Sequence, residues 1–297
     1  MDSLLNTMDL VILGCSQNCG RYLHHVCQNI RALGLHFRSH QVLLLENDSQ
    51  DNTIDEIRNS QYLFRNLTAR SFSGLNAKIP IRTERLAHLR NCAMDWVRQR
   101  QLPTQQTLVM VIDMDEVNAM QWKVDEWIQP LSWFINKREA AAMFANQKGP
   151  YYDLWALRHP RRCPTDVWQE VINLHLEKPF LSDEGLIQQA YLPWQFTIDP
   201  DGPAEKVDSA FGGLGFYKLS WLQQCQTSYS GLISKWLDRP GQPSKLIRWQ
   251  VAEHVSLHAG LRAAGASLWI HPRLINWHTD QLPSLRPNPQ AWRHLSV

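Results

Sequence analysis

Two carboxylates separated by one residue give the 297-residue sequence its clearest candidate for chemistry. Asp113 and Asp115 directly follow the apolar run at 108–112, which has the composition of a buried strand. At this spacing both side chains point to the same side of an extended chain. Carboxylate oxygens suit hard cations such as Mg²⁺ and Mn²⁺, and a metal held by few protein ligands keeps positions open for a diphosphate. The pattern predicts a divalent-metal site, and the alternative is a pair of solvated loop acids.

A second polar cluster, E-N-D-S-Q-D-N-T at 46–53, follows the apolar run at 42–45 in the same way. Asp, Asn and Ser stabilise turns through contacts with nearby backbone, so a turn followed by a helix cap is one interpretation. In the other, the carboxylates bind ribose hydroxyl and base N–H groups of a nucleotide. Arg82, Arg85 and Arg90 come next along the chain, and they are either phosphate ligands or part of a solvated basic face.

The histidines His254 and His258 follow Glu253 and invite comparison with zinc proteases. Their spacing of four places both rings on one helix face. The protease motif H-E-x-x-H has its glutamate between the histidines, whereas here the glutamate precedes both. Histidines hydrogen-bonded inside a helix are the alternative to a metal role. The sequence contains no G-x-S-x-G, P-loop or G-x-G-x-x-G motif, which disfavours the enzyme classes built on them.

The elements that must position these residues alternate along the chain. Apolar runs at 10–13, 42–45 and 108–112 predict buried strands, and apolar residues at helical spacing predict helices at 23–33 and 83–101. Strand and helix in alternation predict an α/β fold with a mostly parallel sheet, in which ligands bind beyond the carboxyl ends of the strands. Both acidic clusters lie at such ends. Further along, we expect elements at the positions listed here: a helix at 124–135 that Pro130 interrupts, a strand at 140–145, helices at 167–176 and 253–264, a glycine-rich turn at 211–217 that leads into a strand, and a last strand at 267–270.

Composition excludes several classes of protein. The sequence has 30 basic and 28 acidic residues, a formal charge of +2, which gives no reason to expect a nucleic-acid binder. No apolar run reaches the length of a membrane-spanning helix, and residues 1–9 do not have the pattern of a signal peptide. The six cysteines are scattered, which favours reduced thiols and a cytoplasmic location.

The ordered set of motifs over about residues 9–260 resembles the GT-A glycosyltransferases. More narrowly, it is similar to the fungal capsule-associated α-1,3-mannosyltransferase family and its bacterial relatives. The motifs that carry the resemblance are E-N-D-S-x-D-x-T at 46–53, R-x-x-R-L-A-x-x-R-N at 82–91, D-M-D-E-V-N at 113–118, Y-D-L-W-A-L-R at 152–158, the glycine turn at 211–217 and E-H-V-S-L-H at 253–258. The resemblance implies an α/β/α sandwich with a mixed, mainly parallel sheet, one domain over 1–280 and a C-terminal tail at 281–297.

The resemblance also implies roles for individual residues. Those on the donor side are Glu46, Asp48 and Asp51 around the nucleoside, Arg90 on the donor, Asp113 and Asp115 on the metal, and His254 or His258 as a further metal ligand. Those on the sugar side are Gly212 and Gly213, which let the backbone approach the transferred sugar, and Asp153, Trp155 and Arg158 near the sugar or acceptor. The sequence departs from the general pattern at Asp48 and Asn52, where such enzymes often have glycine.

The implied activity is metal-dependent transfer of a sugar from a nucleotide-diphosphate sugar to a carbohydrate or lipid-linked hydroxyl acceptor, as in polysaccharide biosynthesis. The resemblance suggests GDP-mannose as the donor, Mn²⁺ or Mg²⁺ as the metal, and retention of the anomeric configuration. If the enzyme inverts instead, a carboxylate must act as the base, and the sequence offers several that it does not rank: Asp183, Glu184, Asp208 and Glu253.

Two other functions stay open at this stage. A sugar nucleotidyltransferase would need a basic cradle for a triphosphate near the first strand, where the sequence has only Arg21. A catalytically silent carbohydrate-binding or scaffold protein would not need the acidic pair. Peripheral membrane contact through a basic, Trp-containing tail also stays open, because Arg286, Trp292 and Arg293 lie there.

Overall fold

An eight-stranded sheet forms the centre of the computed structural model, which describes residues 4–237, 241 and 243–278. The tail expected at 281–297 lies outside the described residues. The strands of the eight-stranded sheet are β1 (Asp9–Ser16), β2 (Ser39–Asn47), β3 (Leu67–Phe72), β4 (Thr107–Asp113), β5 (Ala140–Lys148), β6 (Glu205–Val207), β7 (Leu214–Lys218) and β10 (Ser267–His278). Two further strands, β8 (Leu232–Leu237) and β9 (Lys245–Gln250), lie outside this sheet. The helices are α1 (Gly20–Gly34), α2 (Thr53–Leu63), α3 (Leu75–Lys78), α4 (Arg82–Arg98), α5 (Val124–Asn136), α6 (Val167–Glu177), α7 (Asp183–Leu186), α8 (Leu219–Gln224) and α9 (His254–Ala263). None of the helices in this part of the chain is long and apolar enough to cross a membrane.

The sheet has the order β3-β2-β1-β4-β7-β5-β10-β6. Strands β3, β2, β1 and β4 run parallel, β10 runs parallel to β5, and β7 lies antiparallel between β4 and β5. β1 and β4 are buried along nearly their whole length, as strands covered on both faces must be. The expected α/β fold with a mixed, mainly parallel sheet is confirmed.

Helices cover both faces of the sheet. On one face the apolar side of α1, including Leu23 and Ile30, packs in the same cluster as Leu131 and Phe134 of α5. On the other face, Ala87, Leu89, Ala93, Trp96 and Val97 of α4 and Leu257 and Leu261 of α9 belong to a second cluster. This gives the three layers that the resemblance implies.

Helix α5 corrects one expectation from the sequence. Pro130 lies inside the helix and does not interrupt it. Proline removes one backbone hydrogen bond from a helix interior, which is unfavourable. The helix continues because its apolar face is fully used, with Trp127, Leu131 and Phe134 at most 1% exposed.

The register of the central strands decides where the site forms. Cys15 of β1 pairs with both Leu45 of β2 and Asp113 of β4, so the three carboxyl ends are level. The two acidic clusters that follow β2 and β4 therefore meet at one edge of the sheet.

A small antiparallel hairpin made of β8 and β9 stands beside the main sheet. Its root is bonded to the start of α4: the Thr83 hydroxyl donates to the Gly231 carbonyl (2.9 Å), and the Gly231 N–H donates to Glu84 Oε1 (2.7 Å). The contact is so close that a Cβ on Gly231 would lie 2.1 Å from the Thr83 carbonyl carbon. Glycine is required at this joint by lack of space.

Replacement of Gly231 by alanine is expected to destabilise the protein, because backbone atoms on α4 cannot move aside as a flexible side chain would. Overpacking of this kind costs about 1–3 kcal/mol. Urea denaturation measures the change, with Ser228→Ala, an exposed position just before the joint, as the control. Equal stability of the Gly231→Ala and Ser228→Ala proteins would show that the joint is not tight.

Candidate functional site

A cavity of about 120 Å³ opens at the carboxyl ends of β1, β2 and β4. Its walls come from the residues after β1, from Asn47, from the start of α4 and from the segment at 113–115. Arg82 and Arg85 of α4 line it together with Asp113 and Asp115. One cavity therefore presents cationic and anionic side chains at the edge where α/β sheets bind ligands.

The two aspartates are fixed by the elements on either side of them. Asp113 ends β4, and its N–H donates to the Gly213 carbonyl (2.9 Å). Asp115 precedes a short 3-10 helix at Glu116–Asn118, and its carboxylate accepts from the Val117 N–H (3.4 Å). The strand end and the helix start thus hold both carboxylates at the cavity.

Both carboxylates are held in an environment that disfavours their charge. Burial and the neighbouring charge of Asp113 raise the pKa of Asp115 to about 7. Burial also raises the pKa of Asp113, against the opposing effect of Arg90. Hard oxygen ligands and uncompensated negative charge both fit a divalent cation. In the described part of the chain no group of three or more His, Cys, Asp or Glu side chains is placed to hold a metal, so the aspartates stand as a pair.

Arg90 lies behind Asp113 and is only 3% exposed. Its Nη2 donates to Asp113 Oδ1 (3.0 Å), and its Nε donates to Glu253 Oε1 (2.9 Å). The guanidinium also lies 4.8 Å from the centre of the Phe211 ring. The two carboxylates raise the pKa of Arg90 against the effect of burial, so the charge persists. The geometry makes Arg90 a support for Asp113, whereas the resemblance implies contact with the donor.

The two histidines of α9 are buried and uncharged, and they do not join the aspartates as one ligand set. His258 Nδ1 is 2.8 Å from the Ser209 hydroxyl, and Nε2 is 2.9 Å from the Tyr217 hydroxyl. Burial lowers the pKa of His258 to about 3. Because hydroxyl groups engage both of its ring nitrogens, His258 is a histidine hydrogen-bonded inside the fold, which was the alternative to a metal role. The geometry does not support the expected metal role of His258.

His254 differs from His258 in its contacts. Its ring stacks on Phe211 with the centroids 3.9 Å apart, and Nε2 lies 3.4 Å from Glu253 Oε1. Burial and the charge of Arg90 lower its pKa well below the usual value. Neither ring nitrogen has a hydrogen-bond partner among the described residues. The imidazole is thus a neutral group packed beside the Arg90–Glu253 pair.

The three acids expected to bind the nucleoside are hydrogen-bonded to their own turn and to neighbouring segments. Glu46 is 1% exposed and accepts from the Ser49 N–H (2.8 Å) and the Ser71 hydroxyl. Asp51 accepts from the Gly20 N–H (3.1 Å) and the Thr53 N–H (3.0 Å). These contacts are those of a turn and helix caps, the alternative that the sequence left open.

The backbone conformation at Asp48 accounts for one of the two positions at which the sequence departs from the pattern that it resembles. Its φ of 49° lies in the left-handed region, which glycine adopts most easily and which Asp and Asn also tolerate. Its carboxylate accepts from the Asn76 N–H (2.6 Å) and the Gly74 N–H, which lowers the pKa of Asp48. Asn52, with φ of −78°, needs no such freedom.

The glycine turn at 211–217 lies against the segment that carries Asp113 and Asp115. Gly212 and Gly213 have φ of 65° and 78°, and a Cβ on Gly213 would lie 2.5 Å from Val117 Cγ1 and 2.9 Å from the Tyr152 hydroxyl. Asp153 Oδ2 accepts from the Gly212 N–H (3.0 Å), and burial raises the pKa of Asp153 to about 6. The structure therefore places Asp153, both glycines and Tyr152 beside the segment that carries Asp113 and Asp115.

Three buried amide side chains, which the sequence reasoning missed, hold the carbonyls of this turn. Asn118 Nδ2 donates to the Gly213 carbonyl (2.9 Å), and the amides of Gln147 (3.2 Å) and Asn276 (2.8 Å) donate to the Gly212 carbonyl. The D-M-D-E-V-N motif contained Asn118, but no local signal marks Gln147 or Asn276.

Arg158 and Trp155 make contacts within their own part of the chain and do not line the cavity. Arg158 bonds Asp166 and the carbonyls of Leu157 (2.7 Å) and Trp155 (3.1 Å), so it fixes its own loop. The Trp155 ring packs on Trp168, 4.6 Å between centroids. The geometry gives neither residue a contact with the cavity.

The carboxylates named for an inverting mechanism are also placed. Asp208 pairs with Arg262 (3.1 Å), and Glu253 is bonded to Arg90. Asp183 and Glu184 are exposed in the first turn of α7.

No known protein-family model matches the chain, and no curated protein does. Among solved structures it is similar to a mannosyltransferase from Pyrobaculum calidifontis, described in complex with GDP-Man and Mn²⁺, with 14% identity over 96% of this chain and a TM-score of 0.49. The chain spans 59% of the length of that protein. It is also similar to mannosyl-3-phosphoglycerate synthase from Rubrobacter xylanophilus (12% identity, 72% of this chain and 55% of the other, TM-score 0.36). A third is glucosyl-3-phosphoglycerate synthase from Mycobacterium tuberculosis, described with Mn²⁺, UDP-glucose and phosphoglyceric acid (13% identity, 91% and 69%, TM-score 0.38). The strand order and the helical layers of this chain are those of an α/β/α sandwich with a mixed, mainly parallel sheet.

Replacement of Arg90 by methionine is expected to destabilise the protein by about 3–5 kcal/mol, because Glu253 would keep a buried charge without its partner. Arg98→Met on the same helix is the matched control. Its ion pair with Asp95 is exposed at both ends, 47% and 62%, and such pairs contribute about 0–1 kcal/mol. Urea denaturation compares the two variants, and equal losses would contradict the structural role of Arg90.

Proposed function

We propose that this chain is a metal-dependent glycosyltransferase that moves a sugar from a nucleotide-diphosphate sugar to a hydroxyl acceptor. The observation that carries the proposal is the pairing of Asp113 and Asp115 at the end of β4, in a cavity that also contains Arg82. The Gly212–Gly213 turn packs closely against the same loop, and glycine is required there by lack of space.

Asp113 and Asp115 would hold the metal. Burial, together with neighbouring negative charge, raises the pKa values of both carboxyl groups, and a cation bound between them would stabilise their ionised forms. A bound Mn²⁺ or Mg²⁺ would neutralise the negative charge that develops on the leaving diphosphate. We leave His258 out of the metal site because hydroxyl groups engage both of its nitrogens.

Arg82 is the side chain best placed to bind the donor phosphates. It is exposed at the cavity and makes no hydrogen bond or ion pair with any residue in 4–237, 241 or 243–278. Arginine binds phosphate oxygens in bidentate geometry. Arg90 is a positioning residue in this proposal, because its bonds go to Asp113 and Glu253.

The transferred sugar would lie over the glycine turn. Asp153 fixes the turn from one side and the amides of Gln147 and Asn276 from the other. The Tyr152 hydroxyl, close to Gly213, is available to a sugar hydroxyl. A rigid support of this kind orients the reacting carbon and lowers the entropy cost of reaction.

The finer assignments rest on the sequence resemblance. It favours GDP-mannose as the donor, a carbohydrate or lipid-linked acceptor, transfer with retention, and a role in polysaccharide biosynthesis in the cytoplasm. In a retaining transfer the leaving phosphate itself accepts the proton of the acceptor, so no dedicated base is needed. A mechanism without a dedicated base agrees with the ion pairs of this structure, because Glu253 is paired with Arg90 and Asp208 with Arg262.

Asp113→Asn and Asp115→Asn are expected to abolish Mn²⁺-dependent binding of a nucleoside diphosphate and to lower kcat/KM by at least about 100-fold, since the metal contributes several kcal/mol to transition-state stabilisation. Isothermal titration with GDP and UDP, with and without Mn²⁺, and the consumption of GDP-mannose measure both effects. Glu116→Gln, an exposed carboxylate next in the chain, is the control.

The outcomes separate the proposal from its alternatives. Unchanged binding in both aspartate variants would favour the catalytically silent protein. Release of pyrophosphate from a nucleoside triphosphate and a sugar phosphate would favour the nucleotidyltransferase.

The activity is expected to rise with pH through an apparent pKa of about 6, because only the ionised Asp153 accepts strongly from the Gly212 N–H. Below that pH the protonated carboxyl group holds the turn less firmly, and donor binding weakens. A pH profile of kcat/KM at saturating Mn²⁺, which suppresses protonation of the metal-bound carboxylates, measures the effect. The Asp153→Asn variant should show a lower plateau and no limb near pH 6. A limb that persists in this variant would assign the titration to another group.

A further inference from the structure

The hairpin of β8 and β9 has two different faces. Residues opposite each other in an antiparallel pair point to the same side, and sides alternate along each strand. Ile233 pairs with Trp249, so these two share one face. Trp236 pairs with Leu246 and Ser234 with Arg248, so these four share the other face, which we call the outer face.

The hairpin is attached to the protein at its root and exposed further out. Trp249 and Gln250, next to the root, are 8% and 7% exposed, and the root itself is bonded to α4 through Gly231. On the outer face Trp236 is 61% exposed and Leu246 is 58% exposed. Single exposed apolar side chains are common, but two large ones paired on a projecting hairpin form a patch of the kind that binds a partner or a membrane.

The hairpin is also basic. Between Leu232 and Gln250 the sequence has Lys235, Arg239, Lys245 and Arg248 against one acid, Asp238, a net charge of +3. The whole chain carries only +2, so the remainder of the chain is slightly acidic and the positive charge is concentrated in this segment. Arg248 is exposed on the same face as the Trp236–Leu246 pair.

We propose that the outer face of this hairpin docks on the surface of an anionic lipid bilayer. Stable attachment to a bilayer surface needs apolar insertion together with attraction to anionic lipids. On the outer face the Trp236–Leu246 pair offers the first and Arg248 the second, and the net positive charge of the whole hairpin adds to the attraction. Tryptophan is the side chain that most favours the headgroup region. The charge complementarity decides for a membrane against a neutral glycan, which would have no use for the basic residues.

The root of the hairpin adds a consequence for the site. Gly231 is bonded to Thr83, the neighbour of Arg82 at the cavity mouth. A docked hairpin would therefore hold the cavity near the bilayer surface. If the proposed function is correct, this favours a lipid-linked acceptor, but the docking itself does not depend on that function.

Sedimentation of the full chain with vesicles tests the docking. The probes are vesicles of phosphatidylcholine alone and of phosphatidylcholine mixed in equal parts with phosphatidylglycerol. We expect binding to the mixed vesicles that weakens with added salt, and much weaker binding to the neutral ones. The double variant Trp236→Ser/Leu246→Ser should lose at least about tenfold in partition coefficient, and Arg248→Glu should weaken binding chiefly at low salt.

The chain offers a matched control. Tyr62 and Leu63 are adjacent exposed residues at the end of α2, with exposures of 89% and 58%. The variant Tyr62→Ser/Leu63→Ser removes a comparable apolar area and should bind vesicles like the unmodified chain. Thermal unfolding of both double variants checks that they are folded.

Three results would overturn the proposal. They are absence of binding to the mixed vesicles, equal binding by the hairpin variant and the control variant, and binding to a neutral glycan that the hairpin variant alone loses. Binding of vesicles by a chain that shows no nucleotide binding would support the docking and count against the proposed function, so the two can fail separately.

Discussion

The buried guanidinium of Arg90 is the interaction on which the site depends. It joins helix α4 to Asp113, 23 residues along the chain, and to Glu253, 163 residues along the chain. Buried charges are tolerated only when they are paired and hydrogen-bonded, so the three segments must come together for any of them to be stable. The same pairing turns Arg90 away from the cavity and fixes one oxygen of Asp113. The end of β4 is thereby ordered before any ligand arrives.

The charges around this pair do not balance. Three acidic side chains lie close together here: Asp113, Asp115 and Glu253. The buried cation beside them is Arg90, whose single positive charge compensates one negative charge. The charge of Arg82 lowers the pKa of Asp115 from the more exposed side of the cavity, where solvent screens that charge. Burial and the neighbouring charge of Asp113 raise the pKa of Asp115. A divalent cation at the aspartates would bring the local charge close to zero.

The sequence predicted the frame of the site better than its contacts. Apolar runs located β1, β2 and β4, and the level ends of those strands follow from regular parallel pairing, so the acidic pair fell where expected. The sequence could not decide whether Glu46 and Asp51 bind a ligand or support the fold. The partner of Asp51 is the Gly20 N–H, 31 residues away, and no local pattern reveals such a contact. Gln147 and Asn276 reach the glycine turn from β5 and β10, and nothing local marks them. The β8–β9 hairpin escaped detection because charged and polar residues break its apolar pattern.

Diffraction data collected at the manganese absorption edge, from crystals grown with Mn²⁺ and GDP, test the central claim most directly. We expect one anomalous peak between the carboxylates of Asp113 and Asp115, with the diphosphate on that metal and against Arg82. The glycine turn should lie next to the terminal phosphate. Manganese bound elsewhere, or a nucleotide outside the cavity at the ends of β1, β2 and β4, would contradict it.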